Sequence, residues 1–228
     1  MASENTLLTD LKPSRADIER ISREGQAVTL TNCDLEDLDL SRLDLSDWCF
    51  DRCNLKHASF NGARLEGACF KGCRAAASSF HGADMQDGTI EGGDFSNTDF
   101  RGATLSAVTI HRCKMTGANL REAKAIGLEL EDVLLVLAVL PKLSFRKMTL
   151  KRVDFSETDM RFCDFRDAVF EDCSLRDAHL TECRFENADL RGADLGGVKL
   201  TDARRFKGAV ISKRQAADLL GQLGLRVF

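Results

Sequence analysis

The apolar positions of this chain recur every five residues from Val28 to Leu200, without a slip of phase. Every multiple of five across that span, 35 positions in all, is Leu, Phe, Met or Ile except Ala75 and Ala125. Two residues before most of them sits a small or modest apolar residue, as at Cys33, Cys53, Ala58, Ala63, Ala83 and Ala118. The residue between them is most often Asp, as at Asp34, Asp39, Asp44, Asp84, Asp94 and Asp159. A period of five fits neither a helix, at about 3.6, nor a strand, at about 2. It suits a chain that takes a short extended step with two residues inward, turns a corner and repeats. Gly62, Gly67, Gly72, Gly82, Gly92 and Gly102 fall in the outward slot just before the small residue, where the turn is made.

Four such steps close a square coil, and successive coils stack about 4.8 Å apart. Some eight and a half coils then predict a rod on the order of 40 Å long. On this scheme Phe60, Phe80 and Phe100 form one interior ladder, and Cys33, Cys53, Cys73 and Cys113 line another. The small–Asp–Leu/Phe–x–x unit resembles the pentapeptide-repeat family over about three quarters of the chain. That resemblance implies an all-β solenoid, a right-handed quadrilateral β-helix. Each coil of a solenoid touches only its neighbours, so both ends need caps.

Residues 1–27 precede the repeat and predict an N-terminal capping helix. Ser14 is its N-cap with Asp17 in a weak capping box, Ile18 and Ile21 form its apolar side, and Gly25 is its stop. Residues 28–200 are the β-helix and residues 201–228 a C-terminal module. The phase breaks at Arg205, and a second capping box, Ser212 to Gln215, opens a helix to about Leu223 with Gly224 as its stop. Ala216, Leu219, Leu220 and Leu223 make one apolar face. This module is similar to the tail of the quinolone-resistance and albicidin-resistance pentapeptide proteins. The resemblance implies a homodimer through Leu219, Leu220, Leu223, Val227 and Phe228. It also implies a rod that imitates duplex DNA to engage DNA gyrase or a related topoisomerase.

Charge bears on that implication. The chain has 32 basic and 36 acidic residues, net −4, which argues against direct binding of a nucleic-acid backbone. On the coil scheme Asp44, Asp47, Glu66, Asp84 and Asp87 share one side, opposed only by Arg64. Asp in the middle slot can instead serve local backbone hydrogen bonds. The outward acids Glu36, Asp37, Asp47, Asp51, Glu66, Asp87 and Glu91 are free of that explanation.

Residues 126–145 keep the phase but hold eight consecutive apolar residues, Val133 to Leu140, before Pro141. Leu134, Val136, Leu137 and Val139 would face water in a regular coil, which predicts a bulged loop, a short helix or a contact surface. A partner unrelated to topoisomerases, bound at this patch or along a rod face, is the alternative reading; a delivered effector is a third.

Seven of nine cysteines take the small interior slot, as Ala does elsewhere, while Cys49 and Cys69 fall in the outward slot as the two candidate reactive thiols. His57, His81, His111 and His179 are scattered, with no nucleophile–base spacing, so no enzyme, metal or cofactor is expected. No secretory leader and no membrane-length apolar run is read, which with the free thiols gives a cytoplasmic expectation.

Overall fold

The structure, a computed structural model, describes residues 6–199, 203–221 and 224–226. Nine short strands pair in parallel and in chain order on one side of the solenoid: β1 (Thr6–Thr9), β2 (Val28–Thr31), β3 (Cys49–Asp51), β4 (Cys69–Lys71), β5 (Thr89–Glu91), β6 (Thr109–His111), β7 (Glu129–Glu131), β8 (Thr149–Lys151) and β9 (Val169–Glu171). From β2 onward the register offset is twenty residues, as in Leu30↔Phe50, Phe50↔Phe70 and Ile90↔Ile110. The other three sides repeat the offset through single parallel bridges, Asp34↔Asn54, Asp39↔Ser59 and Asp44↔Arg64. β10 (Cys173–Ser174) and β11 (Ala193–Asp194) form one longer pair beside the main sheet.

The five-residue unit works because its backbone is satisfied at both ends. Leu35 N–H donates to Asn54 O of the following coil at 2.8 Å, and Asn54 N–H returns to Cys33 O at 2.9 Å. The corner is closed by Leu38 N–H to Leu35 O at 3.1 Å, with Asp37 at φ 59°. That left-handed slot recurs at the same place in successive units, which explains its Gly, Asn and Asp content. Gly93 has a separate reason: a Cβ there would lie 2.3 Å from Cys73 O, so the Cys ladder is interrupted by the one residue without a side chain.

Inside, the aromatic ladder expected from spacing is present. Phe60 and Phe80 stack at 4.7 Å with planes 3° apart, and Phe80 and Phe100 at 5.2 Å. A second stack runs Phe145, Phe165, Phe185 and Phe206. Phe206 is one residue out of phase. The coil absorbs a single-residue insertion in the 3-10 turn Ala203–Phe206, and Phe206 fills the interior place that Arg205 would have taken.

Both ends differ in part from the sequence reading. The capping helix α1 (Arg15–Ser22) has the Ser14–Asp17 capping box, and Ile18 is fully buried over the first coil. Before it, β1 adds a strand at an offset of 22 residues, Leu8↔Leu30, which no five-residue rule predicts. At the other end α2 (Lys213–Gly221) has the Ser212–Gln215 box, and Gln215 Nε2 donates to Leu190 O at 2.7 Å and Ala193 O at 2.6 Å, sealing the last carbonyls of the coil. Leu223, Val227 and Phe228 lie outside the described residues.

No helix or bulged loop forms at 126–145, but the ladder opens there, while the apolar run itself keeps its rungs. Among the described residues no bridge joins Lys124 to Ser144, and the N–H groups of Ala125, Gly127, Ser144 and Thr149 make no bond to a neighbouring coil. β7 pairs with β8 only at Glu131↔Lys151. Leu134 bridges Lys114 and Asp154, and Val139 bridges Asn119 and Asp159, in the ordinary register. The reason is that the ladder uses only peptide groups, so an apolar outward side chain leaves it intact. No helix of the described residues is long and apolar enough to cross a membrane.

Candidate acidic interface

The five acids picked out on one side are all exposed and lie in two adjacent columns. Asp44, Arg64 and Asp84 are consecutive rungs of the middle-slot column. Asp47, Gly67 and Asp87 are consecutive rungs of the turn column, and Glu66 stands between the two. Asp44, Asp47, Glu66 and Asp87 line an open groove of about 510 Å³ together with Arg64, Trp48, Ser22 and Gln26. Asp84 is outside that lining. The contribution of α1 was not legible in the repeat: Ser22 Oγ donates to Asp44 O at 2.6 Å and fixes the helix end as one wall.

The acids divide by chemistry. Asp44 accepts from Ser46 Oγ at 2.7 Å and Ser46 N at 3.2 Å and meets Arg64 at 3.3 Å. The Ser46 hydroxyl, aided by the backbone N–H and Arg64, holds the Asp44 carboxyl below the usual range. Asp84 accepts from Gln86 N at 3.3 Å. Asp34, Asp39, Asp94 and Asp99 also accept from the N–H two residues on, so the middle-slot acids are primarily turn-formers. Asp47 and Glu66 make no side-chain hydrogen bond or ion pair with a described residue, and Asp87 has only the Gln86 amide at 3.1 Å. Gly67 leaves room for the Asp47 carboxylate: a Cβ there would lie 2.4 Å from Asp47 Oδ1. Three carboxylates are thus left facing water on one side.

The surrounding field is uneven along the rod. Residues 28–100 hold 13 acidic and 6 basic residues, net −7, whereas residues 101–199 hold 16 of each. With coils of twenty residues stacked about 4.8 Å apart, the first part carries one net charge per ~2.5 Å of axis, against ~1.7 Å for duplex DNA.

The apolar residues of the middle also sit outward. Leu134 is 46% and Leu137 54% exposed, while Val136 and Val139 are half-buried. Two neighbours escaped the sequence reading: Ile126 at 84% and Phe162 at 53% exposure, although both fall in outward slots that the period identifies. Leu137 and Phe162 occupy the left-handed slot, at φ 60° and 66°. Of the expected dimer contacts, Leu219 is 8% exposed and packs against its own chain's core, where the Gln215–Leu219 face of α2 caps the last coil. Leu220 is 38% exposed.

No group of three or more His, Cys, Asp or Glu among the described residues is placed to hold a metal ion. The cavities are open grooves of a few hundred Å³, lined by turn residues.

Comparison with known proteins agrees with this architecture. A pentapeptide repeat region model matches residues 25–94, and a model of eight pentapeptide repeats matches 78–117, 135–172 and 168–204. No curated protein matches the chain. Among solved structures, a trypsin-treated variant of QnrB1, a plasmid-mediated fluoroquinolone resistance protein, is 22% identical with TM-score 0.59, covering 98% of each chain. Full-length QnrB1 is 21% identical with TM-score 0.54, over 97% of this chain and 98% of that one. HetL, a pentapeptide repeat protein involved in heterocyst differentiation regulation in the cyanobacterium Nostoc, is 17% identical with TM-score 0.41, over 86% and 94%. Repeat, register and matched models together identify the chain as a member of the pentapeptide-repeat family.

Proposed function

We propose that this protein is a non-enzymatic scaffold that presents its acidic N-terminal coils to DNA gyrase or a related topoisomerase in place of duplex DNA. The observation that carries the reading is the unneutralised set Asp47, Glu66 and Asp87, on coils whose linear charge density is about two thirds that of DNA. Likeness in fold to a fluoroquinolone resistance protein supports the choice of partner. In this reading the protein acts in the cytoplasm and pairs two-fold through its C-terminal module, with Leu220 at the seam.

The test is a gyrase supercoiling assay, with and without a fluoroquinolone, comparing wild type with a triple Asp47→Lys, Glu66→Lys, Asp87→Lys variant. Lys142 and Lys147 already occupy the same left-handed slot as Asp47 and Asp87, so the variant keeps the fold. Inhibition or drug protection weakened about tenfold or more is expected. Equal potency of the two proteins would sink the proposal.

A second reading rests on Leu137 and Phe162. Bulky side chains are held exposed where the backbone favours Gly or Asn, which supports an apolar contact with another protein at the middle of the rod. Loss of such a partner on Leu134→Ser with Leu137→Asn, alongside an inactive result in the gyrase assay, would favour it.

A further inference from the structure

Seven of the nine thiols are buried in the interior slot, where they donate to carbonyls of the preceding coil, as Cys53 does to Leu30 O at 3.3 Å and Cys183 to Met160 O at 2.9 Å. Cys49 and Cys69 are placed otherwise. Each takes the outward middle slot of its strand, β3 and β4, and each is half-buried rather than enclosed. They are direct partners in the parallel register, tied by Cys69 N–H to Trp48 O at 2.8 Å. Coils about 4.8 Å apart put the two Cα atoms inside the ~4.4–6.8 Å range of a disulfide, and in-register strands send both side chains out of the same face. Elsewhere the same column holds Thr29, Thr89, Thr109, Glu129, Thr149 and Val169, so the slot accepts side chains of several kinds and cysteine is not dictated by packing.

We propose that Cys49 and Cys69 are a redox site that a low-molecular-weight disulfide, such as oxidised glutathione, converts to a reversible bridge between two consecutive coils of the acidic half. The Cys69 thiol is pushed up to about 12 by burial and by its Cys49 neighbour, so it stays protonated at neutral pH; Cys49 is assigned the first attack. The Cys49 thiolate attacks one glutathione sulfur, the glutathione S–S bond breaks, and one glutathione leaves as thiolate. Cys69 sulfur then attacks Cys49 Sγ in the mixed disulfide. Its proton passes to solvent, and the second glutathione leaves. Two protein thiols are oxidised and one glutathione disulfide is reduced to two thiols. The bridge closes a ring of about one coil, which restricts the unfolded chain.

The experiment incubates the reduced full-length protein with excess oxidised glutathione, quenches in acid and reads the intact mass and the peptide map. Loss of two hydrogens with no retained glutathione, mapped to Cys49–Cys69, reversed by a thiol reductant and accompanied by a higher melting temperature, is the expected result. Cys69→Ser should trap one glutathione on Cys49. Wild type that stays unmodified, that retains glutathione on either cysteine, or that bridges any other pair would overturn the proposal.

Discussion

Residues 28–100 and residues 101–199 run through the same coil, with the ladder opened only between residues 124–128 and 144–149, yet one is acidic and the other neutral. The difference lies in the residue two places after the middle-slot Asp. In the first part it is often Ser: Asp39, Asp44 and Asp94 accept from the N–H of Ser41, Ser46 and Ser96, and the last two also from its hydroxyl. In the second it is often Arg: Asp159, Asp164 and Asp189 accept the same N–H and also the guanidinium of Arg161, Arg166 and Arg191. Asp99 with Arg101 marks the changeover, and Asp154 with Ser156 is an exception inside the neutral part. The turn needs the carboxylate, and the partner chosen for it sets the field. Fold and surface charge are therefore separable in this repeat.

Core substitution is the strongest check that the two parts share one interior. Phe60→Ala and Phe165→Ala, each removing a ring stacked on both neighbouring coils or on one of them and a perpendicular ring, should each cost about 3–5 kcal/mol in urea unfolding. A clear inequality would mean that the parts differ inside as well as outside.

Acid should act on both parts alike. Ser41 and Ser46 hold Asp39 and Asp44 low, and Arg161, Arg166 and Arg191 hold Asp159, Asp164 and Asp189 low. Depressed folded-state values mean that this stability is complete above the unfolded carboxylate value, about 4, and is lost as pH falls through the lower folded values. Melting temperature should be flat from pH 7 to 5 and drop below about 4. Salt should weaken only the Arg-paired share.

Asp44→Ala removes a turn acceptor and should cost at most about 1 kcal/mol, given its exposure. Asp47→Asn should cost nothing measurable, because its carboxylate holds no hydrogen bond or ion pair with a described residue and Asn tolerates the left-handed slot. Equal losses in thermal melts would remove the distinction between turn-forming and free acids. Leu137→Asn should stabilise by up to roughly 1 kcal/mol, since Asn is less strained at φ 60°. An equally small effect on stability, and the sharpest on charge, is expected for Arg161, Arg166 and Arg191 changed together to Ser. The urea midpoint should hold while the neutral part becomes acidic, and a rise in gyrase inhibition would tie potency to charge alone.

Much of this molecule was legible because one rule is repeated. The multiples of five gave the interior, and Ser14 and Ser212 gave both helix starts. β1 was not legible: Thr6–Thr9 joins the sheet at an offset of 22, with α1 intervening, so nothing in the five-residue rule points to it. Phe206 was missed because a single inserted residue conceals the interior position. The acids were placed on the correct side, but their division into bound and free needed the side-chain geometry of Ser46 and Gly67. The irregularity at 126–145 was expected at the outward apolar run, whose rungs at Leu134 and Val139 are regular. The ladder opens instead between residues 124–128 and 144–149, where the outward side chains carry no such signal.

The constant register has a consequence for how such a rod can change. Removing twenty residues would delete one coil, shorten the axis by about 4.8 Å and leave every face aligned. Removing five would also preserve the interior, since each side offers the next coil an equivalent rung. Everything downstream, however, would turn by a quarter revolution. Were the five removed between Asp47 and Asp87, the two would no longer share a side, and the patch at Leu134 would look in a new direction. The rod behaves as a dial with four stops, on which length and orientation are set by counting residues.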